Sequence, residues 1–224
     1  MGPSGRDVET RAVDVKSMTR FAEEVLEWYD RNGRDFHWRT TDLSAFEVLI
    51  TEVCLRRTTP ESVENDIRNI LEELDGPKRV RGLNIDHLEV IFRPLGLQSR
   101  RAAEMAELAE DLRRVYDDTV PEERDRLMEI HGVGPYIADA IRCFGFGHPA
   151  VVVDPNVSRV AEHYLDVEVE DYSGDNEAVR EALEPHVPQE APQRFNWGLI
   201  DIGTDLKRGS NEACPDCPLE HHDA

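Results

Sequence analysis

At 224 residues the chain has room for one ordinary domain or two small lobes, each able to bury its own core. It carries 47 acidic against 26 basic side chains, a net charge of −21, and no run approaches the ~18 apolar residues of a membrane-spanning helix. A cross-linked mini-protein and a helical membrane protein are excluded, and so strong a negative charge by itself repels polyanions.

In chain order, Phe21, Val25 and Trp28 recur at helical spacing, and so do Phe46, Ile50 and Val53. Thr59-Pro60 reads as a cap followed by proline at the first helical position. The helix it opens carries Val63, Ile67, Ile70 and Leu74 until Gly76-Pro77 stops it. Another helix begins near Asn84, and a longer one carries Met105, Leu108, Leu112 and Val115. Only Val151–Val153 and Leu165–Val169 read as strands, both short, so the expected fold class is all-α.

Lysine occurs only at positions 16, 78 and 207, against 23 arginines. An acidic, lysine-poor surface fits a cytoplasm at molar salt, where the screening length shrinks to roughly 3 Å and net charge says little about partners. An acidic protein of ordinary salt that avoids nucleic acids is the alternative. Residues 1–20 are charged throughout and lack the apolar core of a signal peptide. Cys54 and Cys143 lie singly in apolar runs, while Cys214 and Cys217 form one close pair, which is not a disulfide framework. A cytoplasmic monomer is expected.

The most informative stretch is Leu127–Ile141: a short apolar helix, a tight Gly132-Val133-Gly134 turn, then a second helix. The glycines permit a sharp turn that leaves amide N–H groups of Val133, Gly134 and their neighbours free at a helix N-terminus, where a phosphate is favoured. Such a hairpin holds a nucleic-acid backbone without reading its sequence. An ordinary helical turn with glycine at a helix end has the same local pattern.

Downstream lies Val151-Val-Val-Asp154-Pro-Asn-Val-Ser-Arg159-Val. Hairpin and Val-Asp-x-Asn-Val-x-Arg-Val together resemble the helix-hairpin-helix superfamily of DNA glycosylases, which includes endonuclease III and adenine-DNA glycosylase. Residues 28–39 resemble the family's entry segment, Ile50–Thr58 its second helix, Leu95–Ala102 a further motif and Asp201-Ile-Gly its last helix. The likeness spans roughly residues 21–224 and is greatest to the archaeal G/T-mismatch thymine-DNA glycosylase branch.

The resemblance implies a catalytic role for Asp154. Breaking an N-glycosidic bond builds positive charge on the sugar, which an ionised carboxylate stabilises while orienting water. Asp before Pro is equally a helix cap, and the two roles are compatible. Glu52 sits in an otherwise apolar helix, where burial raises a carboxyl pKa and suits a general acid; the resemblance implies that it faces the flipped base. A solvated residue on the helix's polar face is the plainer reading. Tyr136 stands where bifunctional members carry an attacking lysine, and a phenol forms no Schiff base, so strand cleavage is not expected. Its plainer reading is a hydrophobic contact at the hairpin exit.

Leu97 and Arg57 resemble the wedge that fills the vacated stack and the donor to the orphaned base, although Leu97 also fits a core position. Arg56, Arg100, Arg101 and Arg159 are expected to supply local positive charge to phosphates, with Gly132, Val133 and Gly134 of the hairpin.

At the C-terminus the sequence departs from the family. Many members hold a [4Fe–4S] cluster on Cys-x6-Cys-x2-Cys-x5-Cys, and those positions here are Lys207, Cys214, Cys217 and Asp223. Lysine and aspartate are poor replacements for thiolates, so no cluster and no cofactor are expected. Zinc on Cys214, Cys217, His221 and His222 is a weaker alternative. Ile130-His131 also replaces the family's usual Leu-Pro.

The expectation is two helical lobes, residues 44–147 with the hairpin and a second lobe from residues 1–43 and 148–224, with the active site in the cleft between them. The expected function is a monofunctional glycosylase of base excision repair, acting on double-stranded DNA with thymine or uracil opposite guanine. Adenine removal opposite G or 8-oxoguanine is the alternative. Against it stand a chain ending at Ala224 without the further domain of adenine enzymes, and Arg56-Arg57 where those have glutamines. A non-catalytic DNA-binding repair module is the alternative from another class.

Overall fold

The computed structural model describes residues 19–170, 172 and 176–208. Polar caps set the starts of several of its helices. Thr19 Oγ1 accepts from the Ala22 amide to open α1 (Arg20–Asn32). A reciprocal capping box of Ser44 and Glu47 opens α2 (Ala45–Leu55), and Thr59-Pro60 opens α3 (Pro60–Glu73). Gly76-Pro77 both separates α3 from the next helix and starts it, giving the short α4 (Pro77–Arg81) that the sequence pattern did not reveal.

Asn84 caps α5 (Ile85–Phe92), and the long α6 (Gln98–Tyr116) follows. The hairpin consists of α7 (Arg124–Met128) and α8 (Pro135–Ala140), which runs on into a π-helical turn, Ile141–Gly145. Asp154-Pro155 starts α9 (Pro155–Tyr164), Asn176 caps α10 (Glu177–Leu183), and α11 (Pro192–Arg208) is the last. Among the described residues no helix is long and apolar enough to cross a membrane.

Buried apolar side chains form two clusters. One gathers α2 to α8 and the π turn, with Val152 and Trp197. The other joins α1, α9, α10 and α11, so helices from both ends of the described chain share it. Met105, Leu108 and Leu112 of α6 are buried, but Val115, which continues their spacing, is 54% exposed. Cys54 and Cys143 are buried free thiols.

The two expected strands are absent; no strand occurs among the described residues. Val151–Val153 belongs to no regular element and passes between the clusters, with Val151 and Val153 in one and Val152 in the other. Alternation on two buried sides imitates a strand. Two of its polar groups are met by side chains: the Val152 amide donates to Asn196 Oδ1 at 2.8 Å, and the Val151 carbonyl accepts from Arg180 at 3.2 Å. In Leu165–Val169, the Leu165 and Val167 amides turn back onto the Ala161 carbonyl, which ends α9 without an edge for pairing.

Buried charges join the parts. Asp139 of α8, 1% exposed, takes Arg124 from α7 at 2.9 Å and Arg180 from α10 at 2.8 Å. At Gly203 of α11 a Cβ would stand 2.1 Å from the Asn156 carbonyl oxygen, so glycine is what lets α11 approach the start of α9.

Candidate active site

A cleft of about 390 Å³ lies between the helices of the two clusters, within the size range of small-ligand sites. α2 supplies Glu52, α8 supplies Tyr136 and the start of α9 supplies Asp154, so three residues far apart in sequence line one space.

Glu52 lies on a helix with nine of its eleven residues buried and is itself 7% exposed. The reading of a solvated polar face is therefore wrong for this side chain. Burial, and then the nearby Asp154 charge, push its carboxyl up to about 7, against the opposing effects of its hydrogen bond with Tyr136 and of Arg56. A group of that pKa exchanges protons at neutral pH. The Tyr136 hydroxyl is driven well above its ordinary value by burial and by the charges of Glu52 and Asp154, so it stays protonated.

Asp154 both caps α9 and faces the cleft. Its Oδ1 accepts from the amides of Asn156 and Val157 at 2.8 and 2.7 Å, and its Oδ2 accepts from Asn156 Nδ2 at 2.7 Å. Burial raises this carboxyl, and the three N–H donors together with Arg159 oppose that rise. The chemistry is thus divided: a carboxylate whose anionic form is met by fixed donors stands near a carboxyl that holds its proton to about pH 7.

Sequence reasoning assigned no role to the cleft's aromatic wall. Phe36 and Trp38 stack with centroids 4.6 Å apart, and Phe144 stacks on Trp197 at 5.3 Å. Arg39 and Arg34 lie over Phe36 at 5.2 and 5.4 Å and are themselves anchored on Asp201, which is 2% exposed. Arg39 reaches Asp201 at 2.6 and 2.9 Å, and the Arg34 amide at 2.8 Å. Burial alone would raise the Asp201 carboxyl; the two guanidiniums hold it below its ordinary value. The signal for this wall was present in Asp35-Phe-His-Trp-Arg39, where aromatic and cationic side chains crowd into five residues.

A second concavity of about 250 Å³ is lined by Arg56, Arg57, Leu97, Arg100, Arg101 and Glu104. Leu97 is 48% exposed, which removes its reading as core. The expected cluster of cations is largely committed elsewhere. Arg56 and Arg100 share Glu104 at 3.4 and 3.1 Å, and Arg56 also donates to the Gly132 carbonyl. Arg159 turns inward, donating to Asn156 Oδ1 at 2.7 Å and to the Gly203 carbonyl at 3.4 Å. Arg101, at 3% exposure, is no surface cation.

In the hairpin, Gly132 has φ +74° and sits with Gly134 on the surface. The Val133 amide is not free as expected: the turn consumes it in a 3.0 Å bond to the Ile130 carbonyl. Among the described residues no group of three or more His, Cys, Asp or Glu side chains is placed to hold a metal ion. Cys214, Cys217, Asp223, His221 and His222 lie outside the described residues, as does the Lys207 side chain.

No family model matches the chain. It is 28% identical to a thymine/uracil-DNA glycosylase of Pyrobaculum aerophilum over 221 residues, covering 96% of this chain and 94% of that one. It is 30% identical to an adenine DNA glycosylase of Mycolicibacterium smegmatis over 200 residues, 88% of this chain and 67% of the relative. Its fold is similar to the solved structure of a thermostable thymine-DNA glycosylase, with a TM-score of 0.80 at 28% identity, covering 88% and 90% of the two chains. Similar in sequence over most of its own length to these enzymes, and in fold to one of them, the chain belongs to the helix-hairpin-helix superfamily of DNA glycosylases.

Proposed function

We propose that this glycosylase is monofunctional and hydrolytic, and that it removes thymine or uracil mispaired with guanine in double-stranded DNA. The observation that carries the reading is the convergence of Glu52, Tyr136 and Asp154 in one cleft that no lysine lines among the described residues. The names of the relatives support the choice of base.

A base inside a duplex is out of reach of side chains, so the target nucleotide must be extruded into the cleft, where the aromatic wall offers flat faces for stacking. Protonated Glu52 donates to the departing base, so the base leaves neutral. Cleavage of the bond places positive charge on the sugar, and the Asp154 carboxylate stabilises it. Water then adds to the sugar carbon and gives its proton to Asp154. Tyr136, always protonated, orients Glu52 and forms no covalent bond with the sugar.

The product is accordingly an intact strand with an abasic site, which breaks only on treatment with alkali or heat. Denaturing electrophoresis before and after alkali tests this; nicking without alkali, or an adduct trapped by borohydride, would overturn it. The same panel carries adenine opposite G and 8-oxoguanine, and preferential release of adenine would replace the thymine/uracil reading.

The cluster positions Lys207, Cys214, Cys217 and Asp223 offer two thiolates where a [4Fe–4S] centre takes four, so no step of the reaction involves one. Purified protein should be colourless and free of stoichiometric iron, as measured by absorption and metal analysis. Brown protein carrying iron would refute this.

A further inference from the structure

The geometry points to Arg101 as the positioning residue of the DNA-facing turns: its buried guanidinium ties the end of α2 to the start of α6 and so presents Arg57 and Leu97 as one rigid pair. The inference rests on the reading of Leu97 and Arg57 as the side chains that enter the base stack, and it names what aims them.

Arg101 is 3% exposed, and its guanidinium is distributed over two turns. On one side Nη1 donates to the Val53 carbonyl, and Nη2 donates to the Arg56 carbonyl at 2.8 Å and to Thr58 Oγ1 at 2.6 Å. On the other, Nε donates to the Gly96 carbonyl at 3.1 Å. Val53 and Arg56 end α2, where helix carbonyls lose their own partners, so the guanidinium takes the place of the missing amides. A buried charge is tolerable only when its donors are met, and here four acceptors meet them. Lysine, a point charge with three donors, cannot span acceptors in two turns as a planar fork does.

The residues that follow two of these acceptors are both left-handed, Arg57 at φ +56° and Leu97 at φ +52°. Neither is glycine, asparagine or aspartate, and side chains of their kind adopt that region only where the surroundings hold them there. The Arg101 amide adds a 3.0 Å bond to the Leu97 carbonyl. Leu95, two residues before Leu97, is 8% exposed, while Leu97 projects at 48%. Arg56, reaching both Glu104 and the Gly132 carbonyl, joins the hairpin turn to the same unit.

An apolar wedge helps extrude a base only if it does not yield when pressed into the stack. Arg101 is too buried to touch DNA and acts through the turns it holds. Single-turnover base release is measured on two duplexes: thymine opposite guanine, and thymine opposite an abasic site, where the target has no pairing partner to leave and Arg57 has no base to meet. Arg101→Lys should slow the first by about a hundredfold, the scale of a small misplacement, and the second by no more than about twofold. Thr58→Val, which removes one acceptor, should show the same selectivity at about tenfold. It carries the test if Arg101→Lys fails to fold by circular dichroism.

Equal losses on both duplexes would mean a merely structural role and would overturn the proposal, as would an unchanged rate on the guanine duplex. Leu97→Ala and Arg57→Ala are the references. If they lack the selectivity, the wedge reading itself falls, whereas selectivity in them but not in Arg101→Lys refutes the positioning role alone. Release of thymine or uracil by the unaltered enzyme reports on the base preference separately.

Discussion

Asp154→Asn is expected to slow base release by about a thousandfold while the protein stays folded and still binds mismatched duplex. Asparagine caps helices as well as aspartate does, and its carbonyl oxygen can keep the bonds from the Asn156 and Val157 amides. The second carboxylate oxygen becomes an amide facing Asn156 Nδ2, donor against donor, which costs about 1 kcal/mol of local stability. What disappears is the negative charge where positive charge develops on the sugar. Affinity for DNA should hold or improve slightly, because one like charge leaves a chain of net charge −21. Single-turnover release with anisotropy binding on the same duplex separates the two effects, and full activity would reduce Asp154 to a helix cap.

Glu52→Gln should reverse the usual sense of a core substitution, raising stability while lowering activity. The Glu52 carboxyl ionises near 4.5 when unfolded but only near 7 when folded, chiefly because it is buried. Below about pH 4.5 both states are protonated and the group carries no penalty. As pH rises from there, the unfolded chain loses the proton first, so stability falls until the folded carboxyl also ionises near pH 7. The accumulated loss is about 3 kcal/mol.

Glutamine does not titrate and can keep a hydrogen bond with Tyr136. The variant should therefore melt higher than the unaltered protein at about pH 8 and together with it near about pH 4. Base release should drop about 10²- to 10⁴-fold, the range for loss of a general acid. In the unaltered enzyme, activity should decline as pH rises through about 7, where Glu52 loses its proton. Identical melting of the two proteins at alkaline pH would contradict the buried, proton-retaining carboxyl.

Local chemistry decided much of what was legible in advance. Helix starts at Thr59, Asn84 and Asp154 follow from side chains that accept from amides two or three residues on, a property of a few consecutive residues. Apolar spacing likewise marked the buried faces of α1, α3 and α6, because burial on a helix repeats every three or four positions. Val151–Val153 misled for the same reason: two-residue alternation reports burial on both sides, and only the surrounding helices decide whether backbone or side chains complete its hydrogen bonds.

By itself the sequence determined an all-helical chain, its hairpin, and the residue types able to break a glycosidic bond: one carboxyl in an apolar helix, one at a cap, and a tyrosine in place of a lysine. Only the tertiary structure decided what those groups do to one another. Glu52 reaches a pKa of about 7 because the packed helices bury it, with the charge of Asp154 at the start of α9 adding to the rise and the hydrogen bond from Tyr136 of α8 opposing it. The arginines divide the same way: in sequence Arg57, Arg101 and Arg159 are equivalent cations. In the fold one lines an open concavity, one closes two turns from within, and one braces Asn156 beside Asp154. The reason is physical: the energy of a charge depends on desolvation and on partners within a few ångströms, and those come from segments distant in sequence.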